Sequence, residues 1–519
     1  MSISMQPFRK VPRLLHPSEP VYSSQRPRRQ HWIPPLVVAT LAIIVFLVQY
    51  GLTVSDIPSQ VAVQGYICSR YYGNADPALL SPQECDDERV FNRLNTISMV
   101  SLAVTAVSAI LTALLYGTLS DSWGRKKVFL LSIFGLLLSQ VWSLGIAKSA
   151  PRVPIETISS AGLAVLIGGG ISISEAMVFT MISDISHEKW RTTYFQIVIC
   201  SVLIAEIVGS VTARAMMATT PWPPLYLGLG LVTAGLFMAF VLPETLHMQH
   251  SNNNSTLRQS SQPVKKNDMK SMLRDVLRSS KTAASCMQNQ NIALLVPAAA
   301  STLPLATTAL TTLTLMIPYR YTETFLESTT LVAVRAATTV AVLIICVPLI
   351  SYFWQRISPF RRDYTLVKFS SLPLVVGMFI IAASPALSGA IVGSFIFSTG
   401  SPVPGLARSM LAQMVEKEHL GRFFGLLSIL EQTGFLVVGL SMGGLYSTGL
   451  RNGGGPWLGL PFYVAGALFV IVAMCLWIAR PEPLKENGDV EMSSLEEDPV
   501  SRLSDRAVRD GGERYICVG

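Results

Sequence analysis

The sequence has few charged residues, since Asp, Glu, Lys and Arg together make up only 14% of its 519 positions. A soluble globular protein carries about 25%, so this composition excludes both an ordinary soluble enzyme and a disordered protein. Seven cysteines are too few for a disulfide-rich scaffold of this length. The chain contains no Gly-x-x-x-x-Gly-Lys-Ser/Thr phosphate-binding loop, which excludes an ATPase of that type.

Histidine and cysteine are not arranged for catalysis or metal binding. All six histidines lie outside the apolar runs described below, which argues against an intramembrane histidine base or proton relay. No cluster of Cys and His has the spacing of a metal site. The sequence therefore predicts no enzymatic activity, no metal and no other cofactor.

Long apolar runs dominate the sequence. Hydrophobic residues make up 50% of the chain, and the mean hydropathy is +0.45. A helix that crosses a bilayer needs about 20 mostly apolar residues, and twelve runs meet that requirement. These predicted spans 1 to 12 cover residues 33–54, 96–117, 128–147, 158–182, 194–217, 224–242, 293–317, 329–353, 365–383, 387–411, 423–447 and 458–479.

The basic residues indicate the orientation of this bundle. An even number of spans places both termini on one side, and most of the 40 Lys and Arg residues fall in the termini and loops of that side. Because basic loops stay in the cytosol, we expect both termini to be cytosolic. The net charge of +8 is explained in this way and requires no nucleic-acid partner. We expect a monomer in the plasma membrane, with the vacuolar membrane as the alternative.

The longest loop divides the spans into six and six, an arrangement characteristic of secondary transporters with duplicated units. The later part of this loop is basic and amphipathic, and predicts a helix on the inner leaflet. The polar C-terminal tail is expected to be disordered. The predicted units are a basic tail (1–32), a first half (33–242), a linker (243–292), a second half (293–480) and a second tail (481–519).

One loop motif points to a family. Residues 117–128 read GTLSDSWGRKKV, which resembles the signature loop between spans 2 and 3 of the major facilitator superfamily. The resemblance implies an all-α membrane protein with twelve helices in two pseudo-symmetric halves. Further segments resemble a fungal branch linked to export of drugs or secondary metabolites. They are Pro243-Glu244-Thr245 after span 6, Cys68-x-x-Tyr71-Tyr72, Pro221-Trp222, ILEQTG in span 11 and GGGPWLGLPF before span 12.

The same resemblance implies a gate on the cytosolic side. Asp121 would accept hydrogen bonds from the N-terminus of span 11, and Arg125 would pair with Asp184 at the inner end of span 4. The alternative is a set of solvated charges that only sets the topology. The residues expected in this gate are Gly117, Asp121, Gly124, Arg125, Asp184 and Arg191.

Four ionisable residues lie inside predicted spans: Glu175, Glu206, Arg335 and Glu431. Each costs about 2.5 to 3.5 kcal/mol to place in a membrane, so each is a functional candidate. Each shares a helix face with small or hydroxyl residues, which favours a water-filled cavity. We expect them to bind protons or substrate, with a structural hydrogen bond as the alternative. Their depths disfavour a direct pair between Arg335 and Glu431.

Two further features are predicted. Gly400, Pro402 and Pro404 should interrupt span 10, either as part of a gate or substrate site or as a plain kink. Cys68 and Cys85 fall in the first external loop (55–95), where an oxidising environment favours a disulfide over two free thiols.

Three functions are compatible with these features. The leading hypothesis is a secondary transporter that exports a small organic molecule by alternating access, coupled to protons. The second is a proton-coupled importer of a nutrient or an organic anion, with Arg335 attracting the anion. The third is a carrier-shaped sensor that signals through its tail. Drug–proton antiporters of the superfamily carry a Gly-Pro-rich motif in span 5, and here that segment has Glu206 and no proline.

Overall fold

The computed structural model describes residues 33–72, 85, 87–149, 153–186, 188–217, 220–245, 289–354, 358–415, 420–453 and 455–481. The predicted N-terminal tail, the amphipathic part of the linker and the C-terminal tail lie outside these residues. The described part of the chain is helical and contains no strand.

Within the described residues, twelve helical spans are long and apolar enough to cross a membrane, and the prediction of an all-α bundle with twelve such helices is confirmed. Spans 1 to 6 consist of Ile33–Tyr72, Glu88–Trp123, Arg125–Ser149, Ile155–Leu166 (3-10) with Gly170–Ile185, Glu188–Met216, and Trp222–Ala239. Spans 7 to 12 consist of Gln290–Ala300 with Thr302–Tyr321, Phe325–Ala341 with Val342–Cys346 (π) and Val347–Phe353, Pro359–Ala383, Leu387–Ser398 with Val403–Met414, Leu420–Arg451, and Gly455–Gly459 (3-10) with Leu460–Ile478.

Spans 1 and 2 are longer than predicted. Span 1 continues to Tyr72, so the predicted external loop 55–95 is wrong over most of its length. The apolar run stops at Ser55 and Asp56, and a hydropathy count cannot tell polar residues on a cavity wall from the start of a loop. The N-terminus of span 2 is capped by Asp87, whose side chain accepts from the backbone N–H of Arg89 at 3.1 Å.

Span 10 is interrupted between Ser398 and Val403, a segment that contains Gly400 and Pro402. Pro404 lies in the first turn of the following helix, where a missing N–H costs nothing. Span 7 is also interrupted, at Ser301, although its sequence was expected to form one continuous helix.

Span 4 was expected to be continuous as well, and this is wrong. Gly168, Gly169 and Gly170 all have positive φ angles (87°, 79° and 64°), so the chain makes a left-handed turn before the α-helical part begins. A Cβ at Gly168 would overlap the backbone of Leu131 in span 3, so only glycine permits this close approach.

The turns at the ends of the spans define two faces of the bundle. We call one the disulfide face, because Cys68 and Cys85 lie there, and the other the motif face, because it carries the loop between spans 2 and 3. Span 1 begins and span 12 ends at the motif face.

The hydrophobic interior is divided unevenly between these faces. One cluster of buried side chains joins the disulfide-face portion of the first half, including Ile67 and Phe91, with the second half, including Tyr446 and Phe462. Another cluster, around Phe129 and Met181, consists of first-half residues towards the motif face. The two halves therefore share one continuous hydrophobic core at the disulfide face.

Candidate functional site

A cavity of about 490 Å³ lies between the two halves. Spans 1, 3, 4, 5 and 6 line it from the first half, and spans 7 and 8 from the second. Its size lies within the range of about 300 to 1,000 Å³ that is typical of small-molecule sites. We call it the central chamber.

Span 1 presents a polar stripe to the chamber. Gln49, Thr53, Asp56 and Ser59 are three or four residues apart and therefore lie on one face of the helix. Asp56 is exposed to the chamber and has no ion-pair partner among the described residues. Asp56 was missed at the sequence level because it was assigned to a loop, although the spacing of this stripe was a signal for a helix.

Threonines of span 7 form the facing wall. Thr307, Thr311 and Thr314 line the chamber at helical spacing. Each donates its hydroxyl hydrogen to a backbone carbonyl of its own helix, as in the bond from Thr311 to Thr307 O at 2.9 Å. Since a hydroxyl has one donor and two acceptor lone pairs, these oxygens offer the chamber mainly acceptors.

Two serine hydroxyls of span 1 behave in the same way. Ser55 Oγ donates to Gly51 O at 2.9 Å, and Ser59 Oγ donates to Asp56 O at 2.7 Å. Both serines line the chamber. The walls from both halves are therefore rich in hydrogen-bond acceptors.

An ion pair between Glu206 and Arg335 connects the halves at the chamber wall, since Glu206 is in span 5 and Arg335 in span 8. Both side chains are largely buried, with exposed fractions of 16% and 23%. Both were expected to be functional, but their pairing was not predicted. Each charge offsets the desolvation of the other, so the pair is balanced.

A second charged cluster lies between spans 4, 10 and 11. Arg408 contacts Glu431 Oε1 at 2.8 Å and donates to Ala299 O, beside the break in span 7, at 3.3 Å. Glu175 of span 4 interacts electrostatically with both Arg408 and Glu431. Glu431 contacts the guanidinium directly, and Glu175, from the other half, lies within its electrostatic reach. We call these three residues the acid–arginine cluster.

A hydrogen bond between the halves lies beside this cluster. Gln432 Nε2 donates to Ser172 Oγ at 3.0 Å, which joins span 11 to span 4 next to Glu431 and about one turn from Glu175. Arg408 was missed by sequence reasoning because a basic residue near the end of a span looks like a topology signal. Its neighbours Ala407, Met410 and Leu411 are fully buried, so the helix itself is embedded.

Two sets of polar contacts close the disulfide face between the halves. In the first, the guanidinium of Arg214 in span 5 reaches span 8. It donates to Leu326 O at 2.7 Å, to Glu327 Oε1 at 3.0 Å and to the hydroxyl of Thr330. None of these residues was predicted as functional.

The second set joins span 2 to span 11. Asn95 Nδ2 donates to Gly443 O at 2.8 Å and to Ser447 Oγ at 3.0 Å. A Cβ at Gly443 would overlap the side chain of Met99, so a larger residue there would require Met99 to move. Together the two sets hold the halves shut at the disulfide face.

The motif face has its own ionic group within the first half. Arg125 Nε lies 3.6 Å from Asp184 Oδ2, and the backbone N–H of Arg125 donates to Glu244 Oε1 at 2.9 Å. Gly124 has a φ of 107°, and a Cβ there would overlap the Glu244 carboxylate. The Pro-Glu-Thr segment after span 6 thus caps the start of span 3. This contact was not predicted, although both motifs were recognised.

The remaining residues predicted in the gate are Asp121, Arg191 and Gly117. The side chains of Asp121 and Arg191 lie outside the described part of the structure. No described atom lies within 4 Å of a Cβ built on Gly117, whose carbonyl accepts from Ser120 Oγ at 2.7 Å.

Cys68 and Cys85 form a disulfide with their Cα atoms 5.5 Å apart. The bond joins Cys68, in the last turns of span 1, to Cys85, which lies three residues before span 2 begins at Glu88. The described residues contain no group of three or more His, Cys, Asp or Glu side chains that could hold a metal ion.

Comparison with known proteins identifies the family. Residues 39–406 match the family model described as Major Facilitator Superfamily. The chain belongs to this superfamily. It is therefore a multi-pass membrane transporter of small-molecule substrates and not an enzyme, as predicted.

This transporter has fungal relatives over most of its length. It is 27% identical over 452 residues to the MFS efflux pump atnC of Emericella nidulans, which covers 83% of this chain and 85% of that one. It is 26% identical over 476 residues to the MFS-type transporter aprT of Aspergillus flavus, covering 90% and 92%. The inward-open structure of the xylose transporter XylE from E. coli is similar in fold, with a TM-score of 0.54, 13% identity and coverage of 90% and 100%.

Proposed function

We propose that this transporter exports a small organic molecule across the plasma membrane in exchange for protons, with both termini in the cytosol. The relatives named as efflux pumps support the direction, and the distribution of Lys and Arg supports the orientation. The observation that carries the proposal is the central chamber between the halves, with charged groups from both halves beside it.

The acid–arginine cluster supplies the coupling. Glu431 has a direct ion pair with Arg408, whereas Glu175 makes no hydrogen bond within the described residues. A carboxylate without a direct partner in a low-dielectric span binds a proton to avoid an uncompensated charge. Glu175 is therefore the residue that carries the proton. The positive charge of Arg408 causes Glu175 to release that proton when the two halves approach.

Alternating access follows from the two closed contacts at the disulfide face. Opening that face breaks the Arg214 contacts and the Asn95–Gly443 hydrogen bond. Closure of the motif face then uses the group around Arg125, Asp184 and Glu244, and the expected contact of Asp121 with the N-terminus of span 11 extends it across to the second half. Opening the disulfide face also exposes part of the hydrophobic core that the halves share there. Substrate and proton must therefore bind the two arrangements with different affinities to shift the equilibrium between them.

The organic-anion importer is less well supported. That alternative used Arg335 to attract the anion, but Arg335 is already neutralised by Glu206. An anion would have to displace Glu206 or accept an excess of negative charge in the chamber.

Overexpression in the organism of origin tests direction and coupling together. We expect at least one organic compound to rise in the medium and fall in the cells, as measured by mass spectrometry of both fractions. The rise should be abolished by a protonophore and by Glu175→Gln, and retained in Glu156→Gln, which alters a carboxylate at the disulfide face. Depletion of a compound from the medium, or export that is insensitive to the protonophore, contradicts the proposal.

A further inference from the structure

A second, smaller cavity of about 180 Å³ adjoins the central chamber within the first half, between spans 1, 3, 4 and 5. Its wall is mainly apolar and includes Phe129, Leu136, Val178 and Val202. Glu175 is the one ionisable side chain among the described residues that line it. We call it the apolar annex.

The annex and the central chamber share part of their walls. Gln49 of span 1 and Ile171 of span 4 line both cavities. These two side chains therefore lie at the boundary between the cavities, and a molecule that occupies both must pass between them. The combined space has one polar compartment and one apolar compartment.

The polar compartment carries an excess of negative charge. Among its described lining residues, the ionisable ones are Asp56, Glu206 and Arg335. Glu206 and Arg335 neutralise each other, which leaves the carboxylate of Asp56 facing the chamber. An organic cation compensates that charge, whereas an anion adds to it.

The hydrogen-bonding character of the chamber points to the same class of ligand. The hydroxyls of Thr307, Thr311, Ser55 and Ser59 all donate their hydrogens within their own helices. Their free lone pairs can only accept, so they complement a ligand that donates or carries positive charge.

We propose that the central chamber and the apolar annex form one bipartite site for an amphiphilic cation, with its charged head at Asp56 and an alkyl or prenyl tail in the annex. This inference rests on the proposed transport function and specifies its substrate class. The head and the tail are recognised by different residues, so the two contributions can be separated by mutation.

Equilibrium binding to the full-length protein in lipid nanodiscs tests the proposal, with empty nanodiscs as the reference for partition into lipid. The probes are butyl-, hexyl- and octyltrimethylammonium, with octanoate as the matched anion. Burial of a methylene contributes about 0.8 kcal/mol, so affinity should rise about fourfold for each methylene added. Octyltrimethylammonium should bind at least about tenfold more tightly than octanoate.

Two variants test the two parts of the site separately. Val202→Phe fills the annex and should flatten the dependence on chain length while leaving butyltrimethylammonium binding unchanged. Val211→Phe is its control, because Val211 lies on the same span but is exposed on the outside of the bundle and lines neither cavity. Asp56→Asn should weaken every cationic probe about tenfold, and Asp56→Glu should restore binding.

Several results overturn the proposal. They are no measurable binding of any alkylammonium probe, equal affinity for octanoate, and a chain-length dependence in Val202→Phe equal to that of the unmodified protein. A co-purifying lipid in the annex that octyltrimethylammonium fails to displace also overturns it. Because no gradient is applied, failure of proton-coupled export leaves these affinities unchanged, so the two proposals fail separately.

Discussion

The two charged groups between the halves differ in their balance. Glu206 and Arg335 form a pair with one charge of each sign, whereas the acid–arginine cluster opposes one guanidinium to two carboxylates. A balanced pair is stable without exchange of ions, because each partner compensates the other. An unbalanced group requires a proton or another cation in at least one state. In the proposed transport cycle, the first group connects the halves and the second couples transport to protons.

The largest effect is expected when the shared cation is removed. Arg408→Ala leaves Glu431 without its partner and should lower the free energy of unfolding by about 3 kcal/mol and abolish transport. Thermal unfolding and efflux assays measure the two effects. Arg408→Lys keeps the charge and should recover part of both. An Arg408→Ala protein with normal stability and transport would show that the cluster is not a unit.

The next largest effect is expected at Glu175, where a substitution tests proton coupling separately from folding. Glu175→Gln keeps the shape of the side chain but removes its charge, so gradient-driven flux should fall about a hundredfold, the scale of losing one proton-transfer group. Exchange of substrate across a membrane without a gradient should persist, since that exchange needs no net proton transfer. Both rates are measured in proteoliposomes, and equal loss of both would contradict a coupling role.

Removing one charge of the Glu206–Arg335 pair should cost stability, and removing the second charge as well should recover it. Glu206→Gln alone leaves Arg335 unpaired and should destabilise the protein by about 3 kcal/mol. The double variant Glu206→Gln with Arg335→Met removes both charges and should recover most of that loss. The double-mutant cycle is measured by thermal unfolding. Additive losses would mean that the two residues do not interact in the folded protein.

The smallest effect is expected at the disulfide face. Arg214→Ala removes contacts that are partly exposed to water, which are worth about 1 kcal/mol. We expect the opened state to gain about fivefold in population, while the free energy of unfolding changes little. Distances between spin labels on spans 5 and 8 report that population. Lys148→Ala, on span 3 of the same face, should leave it unchanged.

Hydropathy and the loop motif predicted the number of spans and the family, because bilayer thickness and backbone hydrogen bonding allow few alternatives. The lateral positions of residues could not be predicted. Sequence gives the depth of Glu206 and Arg335 in the membrane, but the pairing of span 5 with span 8 depends on how the halves dock. Asp56 was missed for a different reason, since a polar stripe on a cavity wall ends an apolar run in the same way as a loop.

The broken spans illustrate the same limit. Gly400 and Pro402 predicted their break from backbone chemistry alone, because proline cannot continue the hydrogen-bond ladder. Gly168 to Gly170 do not exclude a continuous helix, since glycine is tolerated in helices. Their left-handed turn is selected by close packing against Leu131, a contact that only the folded chain provides.

The disulfide has a mechanical consequence. It fastens the end of span 1, which carries Asp56, to the start of span 2, which carries Asn95. The covalent link prevents these two helices from separating at that end. A displacement of span 1 around a bound molecule should therefore also act on span 2, where Asn95 donates to Gly443 O.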